Sequence, residues 1–392
     1  MRIAFFHNLP AGGAKRSAHE WIKRMTRDHT VDLYLYDLAA EAYLDLRPFV
    51  RQTILTPGGE TSLVRRPGLL ASLSRWLKLL TSLPRVRQAS ARVARQINQG
   101  GYDLAFVMQC QVSNSPFVLR DLRIPSLYFC HEPYIKVLEP HFRANDGWLG
   151  PAKRMFIHWM AHDDCASARR ATVICANSLY SCETIYRAYG VYPRLTRMGV
   201  DAVQFRPLGL EREGYILSVG ALSPLKAQGF IVESVGTLQE RPPIRFIHHT
   251  VIGDYQARLV QLAEQLGVSV SFDRLVTEDA LVTAYNQAAL TAFPSHLEPF
   301  GLIPIESLAC GTPVVGVAEG GIRETIQHGE TGLLTERDPV EYGQAIETLM
   351  KDETLRTRMG MQGRQQVVEH WTWDASYRQL EKNMQRAVTG PR

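Results

Sequence analysis

The sequence predicts an α/β protein made of two doubly wound, parallel-sheet domains. Three observations carry this reading. The chain has 392 residues, and single cores stop growing near ~250–300 residues. Short apolar runs alternate with helix-period stretches from end to end, the pattern of parallel strands joined by crossover helices. The alternation also runs through twice, changing over in GVDAVQFRPLGLEREG at residues 199–214.

In the first series RIAFFHN, TVDLYLYDL, DLAFVMQ, PSLYFCHE and TVICANS read as strands. In the second YILSVGAL, IRFIHHTVIG, VSVSFDRL, LTAFPS and PVVGVA do. Each is apolar and too short for an ordinary helix. ARLVQLAEQLG and EDALVTAYNQAA repeat apolar residues at helical spacing, and DASYRQLEKNMQRAV is a C-terminal helix. Ligands of such sheets bind beyond the carboxyl ends of the strands, where the topology switches. Two facing domains therefore place the site in the cleft between them.

Composition narrows the function class. Apolar residues make up 45% and charged residues 21%, as in soluble globular proteins. No run of eighteen apolar residues is present, so no transmembrane helix is expected. The start, MRIAFFHNLPAGGAKRS, is too short in apolar core for a signal peptide and reads as a first strand entering a glycine loop. The six cysteines contain no CxxC pair and read as buried thiols of a cytoplasmic protein, not a disulfide or zinc framework.

Charge is uneven. Residues 1–205 carry a balance of +11 and residues 206–392 one of −6. The excess concentrates in residues 61–100, with eight Arg/Lys and no acid, alongside Leu73, Trp76, Leu77, Leu80 and Leu83 at helical spacing. A basic amphipathic helix with tryptophan suits an anionic membrane surface. The same pattern also fits a core helix with a solvated basic rim, or a surface that meets an acidic acceptor. Nucleic-acid binding is not indicated, since aromatic residues are not interleaved with the basic ones beyond Trp76 and no recognition motif is present.

The densest information lies in residues 291–334, TAFPSHLEPFGLIPIESLACGTPVVGVAEGGIRETIQHGETGLL. Pro304 suits the first turn of a helix, so a helix is expected from near Leu302 to Cys310, stopped by Gly311 and Pro313. Glu298 then falls just before this helix and Glu306 within its first turns. A helix N-terminus offers free N–H groups and a positive dipole end to a phosphate. The two glutamates cannot bind phosphate, but they suit sugar or ribose hydroxyls or a developing positive charge. An ordinary αβ unit with solvated glutamates is the plainer reading of the same residues.

This ordered set resembles the donor site of retaining glycosyltransferases of family 4. It comprises Glu298, Pro299, Phe300, Gly301, Leu302, Pro304, Glu306, Gly311, Pro313, Val314 and Val315, then Gly320, Gly321, Glu324, Gly329, Gly332, Leu333 and Leu334. The resemblance implies a GT-B fold: facing Rossmann-like domains at 1–205 (acceptor-binding) and 206–372 (donor-binding). It also implies a last helix, 373–392, that crosses back onto the first domain. It implies transfer of a sugar from a nucleotide-sugar to an acceptor hydroxyl, with attack on the face from which the diphosphate leaves. Glu298 would lie beside the transferred sugar, Glu306 would grip the ribose, and Lys226 with the N–H groups near Gly301-Leu302 would hold the diphosphate. Phe300 belongs to the same donor loop.

Other segments extend the resemblance. Gly12-Gly13, after the first strand, match a glycine loop close to the donor phosphate, though two glycines also make a plain strand–helix turn. His131, closing PSLYFC, matches a histidine next to the transferred sugar, while Glu132 could face the acceptor instead. Arg274-Leu275-Val276 match a segment contacting the base. ANSLYS…YG…MGVD, at 176–201, also resembles the family, with Met198 where asparagine is usual. A departure falls at Ala221, where the family carries a second diphosphate-binding arginine; Arg16, Arg274 and Arg323 are candidates to replace it. No D-x-D pair occurs, so neither a metal nor another cofactor is expected. The acceptor class suggested by the basic helix is a glycan or lipid-linked substrate of the cell envelope, met in the cytoplasm at the inner membrane face. The rival readings are a catalytically weak sugar-nucleotide-binding partner and a GT-B nucleotide-sugar epimerase.

Overall fold

The computed structural model describes residues 1–37, 41–57, 69–134 and 150–390. The chain divides into two compact units, one formed by Met1–Arg197 with Ser376–Arg392, the other by Met198–Ala375.

In the first unit, β1 (Arg2–Asn8), β2 (Thr30–Leu35), β3 (Gln52–Leu55), β4 (Leu104–Cys110), β5 (Ser126–Phe129), β6 (Val173–Ala176) and β7 (Arg194–Leu195) form one seven-stranded sheet. Its order is β3-β2-β1-β4-β5-β6-β7, with parallel pairing between every pair of neighbours. Helices α1 (Gly13–Asp28), α2 (Leu69–Gln99), α3 (Val118–Asp121), α4 (Gly150–Ala168) and α5 (Leu179–Tyr189) lie between the strands in sequence. Strand order reverses between β1 and β4, so the loops after these strands flank the switch point. β4 is buried along its whole length, as expected of a strand covered on both faces. Phe5 stacks on Phe106 at 4.8 Å, and Trp21 meets Phe129 at 4.5 Å. The C-terminal helix, Trp373–Thr389, returns to this unit. Its Ser376 Oγ accepts from Trp21 Nε1 at 2.9 Å, and Asn383 Nδ2 donates to Thr196 Oγ1 at 2.8 Å.

The second half of α2 is a core helix with a basic rim. Leu83, Val86, Ala89, Val93, Ala94 and Ile97 are buried, while Arg85, Arg87, Arg92 and Arg95 are exposed. Arg87 pairs with Asp163 at 2.7 Å and covers the Phe117 ring at 4.9 Å. Residues 61–68 and the side chains of 69–81 lie outside the described residues, and with them the stripe of Leu73, Trp76, Leu77 and Leu80.

In the second unit, β8 (Ile216–Val219), β9 (Ile244–His248), β10 (Val270–Arg274), β11 (Leu290–Phe293), β12 (Val314–Val317) and β13 (Gly332–Thr335) form a six-stranded sheet. All pairings are parallel, in the order β10-β9-β8-β11-β12-β13. The helices are α6 (Gln228–Gly236), α7 (Tyr255–Leu266), α8 (Glu278–Gln287), α9 (Leu302–Ala309), α10 (Ile322–Thr325), α11 (Pro339–Lys351) and α12 (Glu353–His370). Here the order reverses between β8 and β11. Thus the loops bearing Lys226 and Glu298 leave adjacent strands at the switch point.

Strands β3, β7 and β13 were not expected from the sequence as strands. β3 is an edge strand whose residues are partly or fully exposed, β7 has two residues, and β13 follows the turn of GETG. The expected strands also stop earlier than their apolar runs. β5 ends at Phe129 and β9 at His248, which leaves His131 and His249 on loops beyond carboxyl ends.

Candidate functional site

In the second unit, β11 delivers the chain to a loop, 294–301, that opens α9. Two glycines support this loop from behind. Gly321 N–H donates to the Glu298 carbonyl at 2.7 Å. A Cβ on Gly321 would lie 2.2 Å from the Pro299 oxygen, and one on Gly320 would lie 2.5 Å from the Glu298 oxygen. The pair is glycine because two backbone segments touch there. Gly301, at φ 100°, takes the N-cap position of α9 in the left-handed region that side chains avoid. Leu297 holds φ 44° without being glycine, a conformation costing about 1–3 kcal/mol and typical of functional loops. The Phe300 ring is buried edge-on to Trp371 at 5.5 Å, so this ring belongs to the core.

Lys226 ends a single 3-10 turn, Pro224–Lys226, after β8, and Ala227 at φ 53° turns the chain into α6. Its Nζ lies 2.6 Å from Glu298 Oε2, and Ser295 Oγ donates to the same oxygen at 3.0 Å. His296 N–H bonds the Leu225 carbonyl at 2.9 Å and fastens the two loops together. The lysine and the glutamate, read separately from the sequence, thus form one ion pair. Its side chains remain 25% and 19% exposed.

Glu306, in α9, is buried, and its Oε2 accepts from Tyr285 Oη of α8 at 3.0 Å. Sequence reading missed Tyr285; the one available signal is its position among the apolar residues of EDALVTAYNQAA. It also missed His248 and His249 at the end of β9. His248 is buried and His249 exposed. Burial, then Arg274, lowers the His248 pKa, while burial, then Lys226, lowers that of His249. Arg274 is exposed at the end of β10. Leu275 follows at φ 53°, 67% exposed, its N–H bonded to the His248 carbonyl at 3.0 Å. Lys226, His249 and Arg274 thus belong to the carboxyl-end segments of three adjacent strands, β8, β9 and β10. Arg323, on α10, is exposed and bonds the Gly320 carbonyl at 3.1 Å. Among the described residues no group of three or more His, Cys, Asp or Glu is arranged to hold a metal ion.

In the first unit, Gly12, at φ 147°, is the N-cap of α1, and Gly13 opens the helix. A Cβ on Gly12 would meet nothing within 4 Å, so conformation, not crowding, selects glycine there. The Arg16 backbone N–H bonds the Gly12 carbonyl at 3.0 Å. Lys15 is fully buried beneath the loop and pairs with Glu41 Oε1, which His7 Nε2 also approaches at 2.9 Å. Glu41 Oε2 takes the Leu46 N–H at 2.6 Å. The Leu9 N–H points at His7 Nδ1 at 3.3 Å, which leaves the proton on Nε2. Burial lowers the His7 pKa to about 4 and keeps it neutral.

His131 lies just beyond β5, buried, with Nε2 lacking a hydrogen-bond partner among the described residues. Burial lowers its pKa to about 3. Its loop is anchored by Asp164 of α4, whose Oδ2 accepts from Tyr134 N at 3.1 Å and Tyr189 Oη at 2.6 Å, and whose Oδ1 accepts from Ser115 N at 2.7 Å. Buried polar atoms are normally paired, so an unsatisfied imidazole nitrogen at a strand's carboxyl end is suited to a ligand. Glu132 contributes its backbone, accepting from Gln109 Nε2 at 2.6 Å.

These features define a two-unit α/β protein with an anion-suited helix start, a cation and two carboxylates at one switch point. Residues 201–366 match the family described as Glycosyl transferases group 1, so the second unit carries a group 1 glycosyltransferase domain. A D-inositol 3-phosphate glycosyltransferase of Frankia alni is 34% identical over 215 residues, covering 49% of this chain and 52% of that protein. One from Acidothermus cellulolyticus is 37% identical over 196 residues, covering 44% of each. The chain spans about half the length of the curated relatives it matches. Among solved structures, sucrose-phosphate synthase from Thermosynechococcus elongatus aligns over 100% of both chains with TM-score 0.79 and 20% identity. HepE of Anabaena, in complex with UDP, aligns over 98% of this chain and 100% of its own with TM-score 0.74 and 20% identity. These likenesses establish the fold as that of GT-B glycosyltransferases, two Rossmann-like parallel-sheet domains.

Proposed function

We propose that the protein is a glycosyltransferase that moves a sugar from a nucleotide-sugar to an acceptor hydroxyl, with retention of configuration and without a metal. The observation that carries this reading is the Lys226–Glu298 pair beside the Gly301-capped start of α9, inside a group 1 glycosyltransferase domain. With no donor bound, the lysine's charge is matched by the glutamate. A diphosphate competes for Lys226, aided by the N–H groups near Gly301-Leu302. Glu298 is then released toward the sugar, where it holds hydroxyls and steadies positive charge at the anomeric carbon. Glu306, braced by Tyr285, binds the ribose, and Arg274 flanks the base. On the first unit, the Gly12-Gly13 loop and the unsatisfied His131 Nε2 are the groups suited to a ligand. No carboxylate serves as nucleophile; the acceptor attacks on the face the diphosphate leaves, and the diphosphate takes its proton.

The acceptor is read as a glycan or lipid-linked substrate of the cell envelope, reached in the cytoplasm at an anionic membrane face. Exposed Arg85, Arg92 and Arg95 on α2 support this. A second reading, a nucleotide-sugar-binding partner with little turnover, has Ala221 in its favour.

A panel of UDP-, GDP- and ADP-sugars tests the function. HepE, described in complex with UDP-glucose, makes the UDP series the first choice. A donor at 100 times its Kd stabilises the fold by about 2.7 kcal/mol, a clear rise in melting temperature. No stabilisation by any donor contradicts the proposal, and stabilisation without glycosylated product favours the binding-partner reading.

A further inference from the structure

Ala221 leaves the end of β8 without the second cation that the resemblance leads one to expect. We propose that His249 fills this role, its imidazole binding the nucleotide diphosphate beside Lys226. The inference rests on reading the second unit as the nucleotide-sugar domain.

Backbone geometry puts His249 at the right place. β8 and β9 pair with Val219 opposite Ile247. Beyond that point Gly220 N–H bonds the Ile247 carbonyl at 2.9 Å, Leu222 N–H bonds the Thr250 carbonyl at 2.8 Å, and Leu222 bridges to Val251. The β9 side thus uses one residue more than the β8 side over this stretch. Such a bulge pushes the extra backbone outward and re-aims its side chains. With Gly220 opposite His248 and Leu222 opposite Val251, the two residues opposite Ala221 are His249 and Thr250. His248 is buried and His249 exposed, so His249 is the histidine presented to a ligand.

Electrostatics agree. Lys226 is close enough to His249 to depress its basicity, so the two groups share one region. Asp273 and Arg274, at the end of β10, act on His248. Because Glu298 already matches Lys226, the pair by itself brings no net positive charge to a diphosphate. A neutral imidazole donates one N–H to a phosphate oxygen. The approaching anion then favours the imidazolium, which makes the bond charge-assisted.

The test is calorimetric titration of UDP, GDP and ADP into wild type, His249→Ala, His249→Gln, and His249→Ala combined with Ala221→Arg. His249→Ala is expected to weaken the nucleotide that wild type binds by roughly 10- to 100-fold, the loss of one charge-assisted hydrogen bond. Affinity for the matching nucleoside should not change. His249→Gln, which keeps a donor without charge, should fall between. Ala221→Arg should restore binding to the His249→Ala protein. His249 is exposed, so the two single His249 variants should unfold at the wild-type midpoint. Unchanged diphosphate affinity in His249→Ala, equal loss for the nucleoside, or no rescue by Ala221→Arg overturns the inference and leaves the proposed function standing. If none of the three diphosphates binds wild type, it is the donor-site reading itself that falls.

Discussion

Replacing Gly321 by alanine probes whether the position of Glu298 is set from behind. Gly321 has φ −79°, so alanine adopts its backbone freely and the effect is purely steric. The added Cβ would stand 2.2 Å from the Pro299 oxygen, 2.8 Å from its carbonyl carbon and 3.0 Å from Phe300 Cα. All three are backbone atoms, and none can rotate away. The Glu298–Phe300 segment must retreat by about 1 Å, at an overpacking cost of ~1–3 kcal/mol. It takes with it the Gly321–Glu298 hydrogen bond and the carboxylate that Lys226 and Ser295 hold. A shift of about 1 Å in a reacting group costs ~100-fold in rate. Gly321→Ala should therefore lose roughly two orders of magnitude in turnover with the donor the panel identifies, while its urea midpoint falls modestly. Gly329→Ala is the control, since its Cβ meets nothing within 4 Å although φ is 80°. It should lose some stability and keep its turnover. Wild-type turnover in Gly321→Ala would refute the idea that this contact sets Glu298.

Four further outcomes are expected. Tyr285→Phe removes the bond to Glu306 and should weaken nucleoside diphosphate binding by about 0.5–1.5 kcal/mol; unchanged affinity in calorimetry would separate Glu306 from the ribose. Transfer should survive EDTA, and loss of activity restored by magnesium would show the metal-free reading to be wrong. His131 and His7 are lowered by burial from 6.5 to about 3 and about 4, so the unfolded chain binds more protons than the folded one below 6.5. Their contribution to stability is complete above that pH and drains away as pH falls toward 4 and then 3; His131→Asn should flatten this fall in urea midpoints, and an unaltered slope would deny His131 its part. Finally, the protein should sediment with anionic vesicles at low salt, release as salt rises, and lose binding when Arg85, Arg92 and Arg95 become glutamate. Arg87 is spared because it pairs with Asp163. A wild type that ignores anionic vesicles points to a soluble acceptor.

The parallel-sheet fold was legible because strands buried on both faces read as unbroken apolar runs. RIAFFHN, LAFVMQC and PVVGVA announce themselves this way, whereas the edge strand QTIL and the two-residue β7 carry no such signal. The helix start at Leu302 was legible from Pro304, and its end from Gly311, since both act through local backbone geometry. Phe300 shows where locality stops. It sits in the middle of the most informative motif, yet its ring fills a core contact with Trp371, 71 positions further along.

By itself, the sequence determined what depends on neighbours along the chain: strand and helix types, glycine loops, and the residue types gathered after particular strands. The tertiary structure decided what depends on strand order. Because β8 and β11 are adjacent although 70 residues lie between them in sequence, Lys226 and Glu298 form one pair instead of two separate sites. Because β9 bulges against β8, His249 comes to lie by Ala221. Because Gly320-Gly321 lie flat against the Glu298 loop, their missing side chains are a packing requirement. Such pairings follow from which strands hydrogen-bond side by side, and that is fixed by the cooperative burial of the whole sheet, not by any local run of residues.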